Sequence, residues 1–245
     1  MKLIFATGNA HKMEEIRAIL AEVLPEGTEV LSMKEAGVAT EPEENGATFA
    51  ENALIKARAV RELLDESWGT GTMTHFTGDT GDGSVLSPAS QGDKQNRPQL
   101  SPAPLDASSA ATYILADDSG LCIDCLDGAP GIYSARFMGH DTSYEEKNLA
   151  IIEKLKGVEG SERSARFTCA VAVVMPDGSE FTVTEHMEGE IAHAPAGCGG
   201  FGYDPIFYLP EYGCTDAELP PGGKNKISHR GKALRAAVEE MKRRA

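Results

Sequence analysis

The first 25 residues restrict the choice of fold more than any other stretch. An apolar run, Leu3-Ile4-Phe5-Ala6, is stopped by Thr7-Gly8-Asn9, and apolar residues then recur at Ile16, Ile19, Leu20, Val23 and Leu24 before Pro25. The run has strand character. The recurrence has the 3.6-residue period of a helix over 12–24, which Pro25 ends. A strand, a polar glycine turn and an amphipathic helix in direct succession commit the chain to α/β (mixed α+β) layering, with helices lying on a sheet.

The rest of the chain repeats that alternation. Residues 28–33 read as a second strand. The turn Glu41-Pro42-Glu43-Glu44-Asn45-Gly46 leads into a helix over about 48–64, where Thr48 and Glu51 have capping-box spacing. A strand at 112–116 runs into Asp117-Asp118-Ser119-Gly120, and apolar content resumes at 121–126. A helix is expected at about 144–155, then a hairpin of 165–175 and 180–190 around Pro176-Asp177-Gly178. A short strand at 205–208 follows a glycine-rich turn, and a last helix starts near Ser228 with Leu234, Val238 and Met241 facing inward. The segment at about 66–111 differs in kind. It is rich in Gly, Ser, Thr, Pro, Asp and Gln without sustained periodicity, so it cannot bury enough surface to offset its ordering entropy. It reads as a disordered insertion in a single domain spanning 1–245.

A formal net charge of −15 repels polyanions, so no nucleic acid polymer is expected as a partner. A small anionic substrate remains compatible, because a few clustered cations and a metal ion reverse the local field. The five cysteines are scattered, and Cys122-x-x-Cys125 sits in an apolar run with no second Cys or His pair; reduced thiols are expected. The short apolar stretch at the start is no signal peptide, and no run is long enough to span a membrane. A cytoplasmic protein is the expectation.

Several polar groupings carry chemistry. Thr7-Gly8-Asn9-Ala10-His11-Lys12 joins a strand to a helix start, where free N–H groups and the positive dipole end favour anions. Gly8 lets the backbone approach an oxygen, while Thr7, Asn9 and Lys12 donate; a plain turn with a capping Asn fits the same residues. Asp117-Asp118 at a strand end beside a glycine turn suits a hard cation that keeps waters and shares phosphate oxygens. A solvated capping turn is the alternative. Strand neighbours point to opposite faces, so one of the two is expected to aim into a given site. Glu44 offers either a further metal oxygen or a surface charge. Phe201 and Tyr203 either stack on a base, with Asp204 accepting from it, or plug the core. Lys224, His229 and Arg230 bring donors to the last helix start, matched to carbonyl oxygens on a base edge, or form a solvated basic cap.

In chain order, Thr7-Gly8-Asn9-x-x-Lys12, Ala116-Asp117-Asp118-Ser119-Gly120-Leu121, Gly128-Ala129-Pro130-Gly131-Ile132-Tyr133-Ser134-Ala135-Arg136, Gly200-Phe201-Gly202-Tyr203-Asp204-Pro205 and Ile227-Ser228-His229-Arg230-Gly231-Lys232-Ala233-Leu234 closely resemble the Ham1/RdgB family of inosine/xanthosine triphosphate pyrophosphatases. The resemblance covers nearly the whole chain outside the insertion. It implies an elongated, twisted mixed sheet flanked by helices in two lobes with a central nucleotide cleft. It also implies Mg²⁺-dependent cleavage of ITP, dITP and XTP to monophosphate and pyrophosphate, which cleanses the nucleotide pool, and a homodimer. On the same resemblance, Thr7, Gly8, Asn9, Ala10, His11 and Lys12 hold substrate, and Asp118 accepts a proton and binds Mg²⁺ together with Glu44. Ser119 lies next to substrate, and Phe201, Gly202, Tyr203, Asp204, Lys224, His229 and Arg230 contact the nucleotide. Two rival readings are a Maf-like pyrophosphatase for modified pyrimidines, which the Ser228-His229-Arg230-Gly231 turn opposes, and a nucleotide sensor without turnover, which Asp118 and Glu44 oppose.

Overall fold

Strand β1 (Lys2–Phe5) lies between β2 (Glu29–Ser32) and β3 (Thr112–Ile123), parallel to both. Outward from β3 the sheet continues antiparallel through β4 (Ser164–Val174), β5 (Glu180–Ile191), β6 (Phe207–Leu209) and β7 (Cys214–Thr215), giving the order β2-β1-β3-β4-β5-β6-β7. The computed structural model describes residues 1–69 and 111–245. From residue 70 to residue 110, the insertion expected at about 66–111 lies outside the described residues.

Among the described residues, five α-helices accompany the sheet. Helix α1 (Ala10–Ala21) is capped by Asn9, whose Oδ1 accepts the Lys12 N–H at 3.1 Å. It stops short of the expected Leu24 because the Val23 and Leu24 N–H groups both donate to the Leu20 carbonyl and tighten the last turn. Helix α2 (Phe49–Gly69) has the expected Thr48–Glu51 capping box but extends past residue 64. Helix α3 (Tyr144–Lys154), the short α4 (Pro221–Ile227) and α5 (His229–Arg244) complete the set. The β4–β5 hairpin turns at Pro176-Asp177-Gly178, where Gly178 takes φ +86°, a conformation glycine adopts without penalty.

Strand alternation divides the core. Leu3, Phe5, Tyr113, Leu115, Val171 and Val173 face α1 and α5, together with Ile16, Leu20, Leu234 and Val238. Ile4, Ile114, Ala116, Ala172 and Val174 face α2, against Ala53, Ala57 and Val60. A third cluster, including Leu121, Ile123, Ile151, Phe167, Met187 and Phe207, packs the far halves of β3, β4 and β5 under α3. These clusters are the cores of two lobes that share one sheet.

Three details correct the sequence-based expectation. Residues 112–123 form one unbroken strand, so Asp117 and Asp118 lie mid-strand, paired with Val171 and Ala170, and not at a strand end. Gly120 is not a turn residue either. A Cβ there would lie 2.3 Å from the Gly131 carbonyl and 2.6 Å from Ser134 Oγ, so its glycine admits the crossing loop 131–136. The expected strand at 205–208 begins instead as a 3₁₀ turn, Asp204–Ile206, before β6.

Candidate active site

β1 ends while β3 continues. The last ladder pair is Phe5 with Leu115, and the Ala6 N–H closes onto the Leu115 carbonyl at 2.7 Å. From Ala116 onward β3 keeps β4 on one side and, among the described residues, no strand on the other. A cleft of about 650 Å³ opens at this free edge and separates the lobes. Asp117 and Asp118 do point to opposite faces, as alternation requires. Both nevertheless border the one cleft, because it wraps around the edge that β1 leaves exposed. The expectation that only one of them would aim at a given site is corrected accordingly.

Asp117 turns toward α1 and α5 and is 1% exposed. Its Oδ2 contacts Lys12 Nζ at 3.1 Å and accepts from Arg230 Nε and Nη2 at 3.3 Å each and from the Ser119 hydroxyl at 3.2 Å. Burial alone would raise its pKa, but the charges of Lys12, Arg230 and Lys56 outweigh burial and hold it well below the usual carboxylate range. Asp118 turns toward α2, where Oδ1 accepts from Lys56 Nζ at 3.1 Å and Oδ2 from Asn52 Nδ2 at 3.3 Å. Here burial pushes the pKa up, and Lys56 offsets this only in part. Glu44 reaches the same ammonium at 3.3 Å. Two adjacent carboxylates thus differ in kind: Asp117 is locked into ion pairs, whereas Asp118 is shared between one cation and the cleft.

The opposite end of the cleft is aromatic and cationic. Asp204 Oδ2 accepts the Phe201 N–H at 2.7 Å and Lys224 Nζ at 2.6 Å. Gly200, at φ +68°, is required there because a Cβ would come within 2.1 Å of that oxygen. Lys224 Nζ and the Arg230 guanidinium lie 5.2 and 5.6 Å from the Phe201 ring centre. The two aromatics both line the cleft but differ in depth. Phe201 is half-buried at the cleft, whereas Tyr203 is core, edge-on to Tyr144 and donating its hydroxyl to the Ser134 carbonyl at 2.7 Å. His229 is buried and stacks on Phe167 at 4.8 Å. Burial and the neighbouring Arg230 and Lys224 charges push its pKa far down, so it is neutral. Two N–H groups of Arg230 go to Asp117 and one to Glu15 at 2.5 Å. Arg230 is therefore a buried clamp between α5, α1 and β3 and not a solvated cap.

Thr7, Gly8, Asn9, Lys12, Glu44, Ser119, Gly202, Lys224, His229 and Arg230 all border the cleft. Ala10 and His11 do not, since they begin α1 on its outer side, and His11 stacks against Phe201 at 6.2 Å. Four residues of this network escape a sequence reading: Glu15, Asn52, Lys56 and Asp216. Asn52 and Lys56 carry the one available signal, a polar i, i+4 pair on an otherwise apolar helix face. Among the described residues no group of three His, Cys, Asp or Glu side chains has metal-binding geometry. Glu44 and Asp118 do converge on one ammonium, so a cation can contact both. A pair of carboxylates suits Mg²⁺, which keeps several waters and takes further oxygens from a phosphate. No helix among the described residues is long and apolar enough to cross a membrane.

The Ham1 family model matches residues 3–81 and 101–240. A dITP/XTP pyrophosphatase of Desulforamulus reducens is 40% identical over 243 residues, covering 99% of this chain and 96% of that protein. A dITP/XTP pyrophosphatase of Treponema denticola is 39% identical, covering 96% and 95%. Among solved structures, a HAM1 protein from Coxiella burnetii superposes with TM-score 0.70 at 31% identity over 99% of both chains. The Staphylococcus aureus Ham1 protein gives TM-score 0.71 at 27% identity over the full length of both. The match takes in both lobes and both walls of the cleft, so the chain belongs to the Ham1 family.

Proposed function

We propose that this chain hydrolyses non-standard purine nucleoside triphosphates (dITP, XTP and ITP) to the monophosphate and pyrophosphate, with Mg²⁺ as cofactor. The observation that carries this reading is the polarity of the cleft. One end gathers Lys12, Lys56, Glu44 and Asp118, a match for a metal-bound triphosphate; the other presents Phe201, Asp204 and Lys224, a match for a base. Relatives carrying the name dITP/XTP pyrophosphatase along nearly the whole chain support the same substrate class.

Lys12, at the helix start behind the Thr7-Gly8-Asn9 turn, neutralises phosphate charge alongside the N–H groups of that turn. Glu44 and Asp118 hold the metal, which when bound polarises the phosphorus centre and offsets charge on the leaving pyrophosphate. Asp118 orients the attacking water and accepts its proton at Oδ1 or Oδ2, a role closed to Asp117 by its pairing with Lys12 and Arg230. Lys56, already in contact with both metal-side carboxylates, limits their mutual repulsion before substrate arrives. At the base end, Lys224 offers a donor suited to a 6-oxo purine. Adenine would place an amine against it, at a cost of about 1–3 kcal/mol. The homodimer and the cytoplasmic setting implied by the resemblance belong to the same reading, and light scattering tests the first.

The deciding experiment is pyrophosphate release from XTP, dITP, ITP, GTP, ATP and dTTP at equal concentration, with and without Mg²⁺. Fast release from the first three in Mg²⁺ alone is expected. Release of orthophosphate, or equal rates on ATP and dTTP, would refute the proposal.

A further inference from the structure

Beneath the base end of the cleft lies a buried charge cluster that the chemistry above does not use. Lys224 Nζ sits 2.6 Å from Asp204, 3.2 Å from Glu15 and 3.4 Å from Asp216. Asp216 follows β7 and opens a 3₁₀ turn, Asp216–Glu218. Its side chain is 0% exposed, and neither oxygen has a hydrogen-bond partner among the described residues. Glu218 is turned away from it, accepting from the Thr215 N–H and hydroxyl at 2.8 and 3.1 Å. The charged groups facing Asp216 are Asp204 and Lys224, and Glu15 joins them through Lys224.

The linked ion pairs bring four acids (Glu15, Asp117, Asp204, Asp216) against three cations (Lys12, Lys224, Arg230). A surplus buried charge without donors is costly, and one bound proton removes it. Asp117 and Glu15 accept from Arg230, and Asp204 accepts from Lys224 and the Phe201 N–H. Only Asp216 makes no hydrogen bond, its Oδ2 standing 3.4 Å from Lys224 Nζ. Burial and the facing Asp204 charge push its pKa up to about 7.

Building on the nucleotide reading above, we propose that Asp216 is a positioning residue for the base end of the cleft: as a neutral acid it leaves Lys224 to Asp204 and Glu15 at the cleft wall, and as a carboxylate it draws the ammonium inward. Nucleotide binding then weakens as Asp216 ionises. Asp118, on the α2 face of the sheet, is untouched, so KM moves and kcat does not.

The test compares wild type with Asp216→Asn, an isosteric stand-in for the neutral acid, using dITP with Mg²⁺ across pH 6–8.5. Ionisation of the substrate is common to both enzymes and cancels in their ratio. Wild-type KM is expected to rise roughly tenfold per pH unit above the Asp216 titration, relative to a variant without that rise. Parallel KM profiles would overturn the proposal, as would a difference confined to kcat. Unfolding midpoints over pH 4.5–8 supply a readout independent of turnover. A carboxyl whose folded pKa is raised loses stability as pH climbs from its unfolded value to its folded one. Wild type should therefore fall relative to Asp216→Asn up to about pH 7 and run parallel above it. If neither protein releases pyrophosphate from any nucleotide, the function proposal fails. The stability curves still decide whether Asp216 holds the proton: divergence up to pH 7 supports it, and parallel curves throughout overturn it.

Discussion

Gly120→Ala is the most demanding test of the packing between the strand and the loop that crosses it. The added methyl would sit 2.3 Å from the Gly131 carbonyl oxygen, 2.6 Å from Ser134 Oγ and 2.9 Å from Phe49 Cε1. The first of these is backbone and cannot rotate away, so the loop has to retreat by about 1 Å. Overpacking of that kind costs about 1–3 kcal/mol. Retreat also stretches the Leu121 N–H to Ser134 Oγ bond between strand and loop, now 2.9 Å, whose loss adds about 1 kcal/mol, whereas the 2.6 Å Ser134 hydroxyl to Gly131 carbonyl bond lies within the loop and moves with it. The sum is about 2–4 kcal/mol. For a chain of this size a loss of about 3 kcal/mol lowers Tm by about 6–12 °C, readable by calorimetry or circular dichroism. KM should rise as well, because the same loop carries the Ser134 carbonyl that holds the Tyr203 hydroxyl beneath the base-end turn. Ser134→Ala gives the comparison, since it removes both hydrogen bonds without any clash and should cost less. A Gly120→Ala protein with Tm within about 2 °C of wild type would refute the reasoning.

Three further substitutions separate the parts of the site. Asp118→Asn should lower kcat by at least about a hundredfold with an unchanged unfolding midpoint, and near wild-type turnover would remove it from the chemistry. Lys12→Ala should raise KM by about ten- to a hundredfold, the equivalent of one charge-assisted contact, while Arg230 keeps Asp117 paired; an unchanged KM would contradict a phosphate role. Arg230→Leu should instead act on stability, because it strips a buried partner from both Asp117 and Glu15. A cost of about 3–5 kcal/mol is expected in chemical denaturation, and a variant as stable as wild type would show that the clamp is dispensable.

Most elements were legible because local chemistry specifies them. The Asp177-Gly178 turn, the Thr48–Glu51 box and the Asn9 cap each fix a boundary through contacts within a few residues. The break placed after Ala116 failed for the opposite reason. Asp, Ser and Gly have low strand preference, and only the ladder to β4 and the loop crossing over Gly120 make that sequence strand. The same distinction runs through the site. Asp118, Lys12 and the Phe201–Asp204 turn sit in recognisable motifs, whereas Lys56, Glu15 and Asp216 owe their positions to packing between elements far apart in the chain. Tyr203 illustrates the limit well: it sits two residues from Phe201 in one turn, yet depth in the fold gives it a different task.

The early end of β1 has a consequence for how the protein gains and loses its competence. Arg230 meets Asp117 across 113 residues of chain and Glu15 across 215, so the α1/α5 side of the gap is held together by contacts between opposite ends of the polypeptide. Closing loops that long is an entropic cost met only when the whole sheet is in place. A nucleotide bound in the cleft therefore depends on α1, β3 and α5 being assembled together. At a hundred times its dissociation constant, a ligand held across such a gap adds about 2.7 kcal/mol to the folded state. A destabilised variant that looks inactive when dilute should therefore recover as its own substrate accumulates.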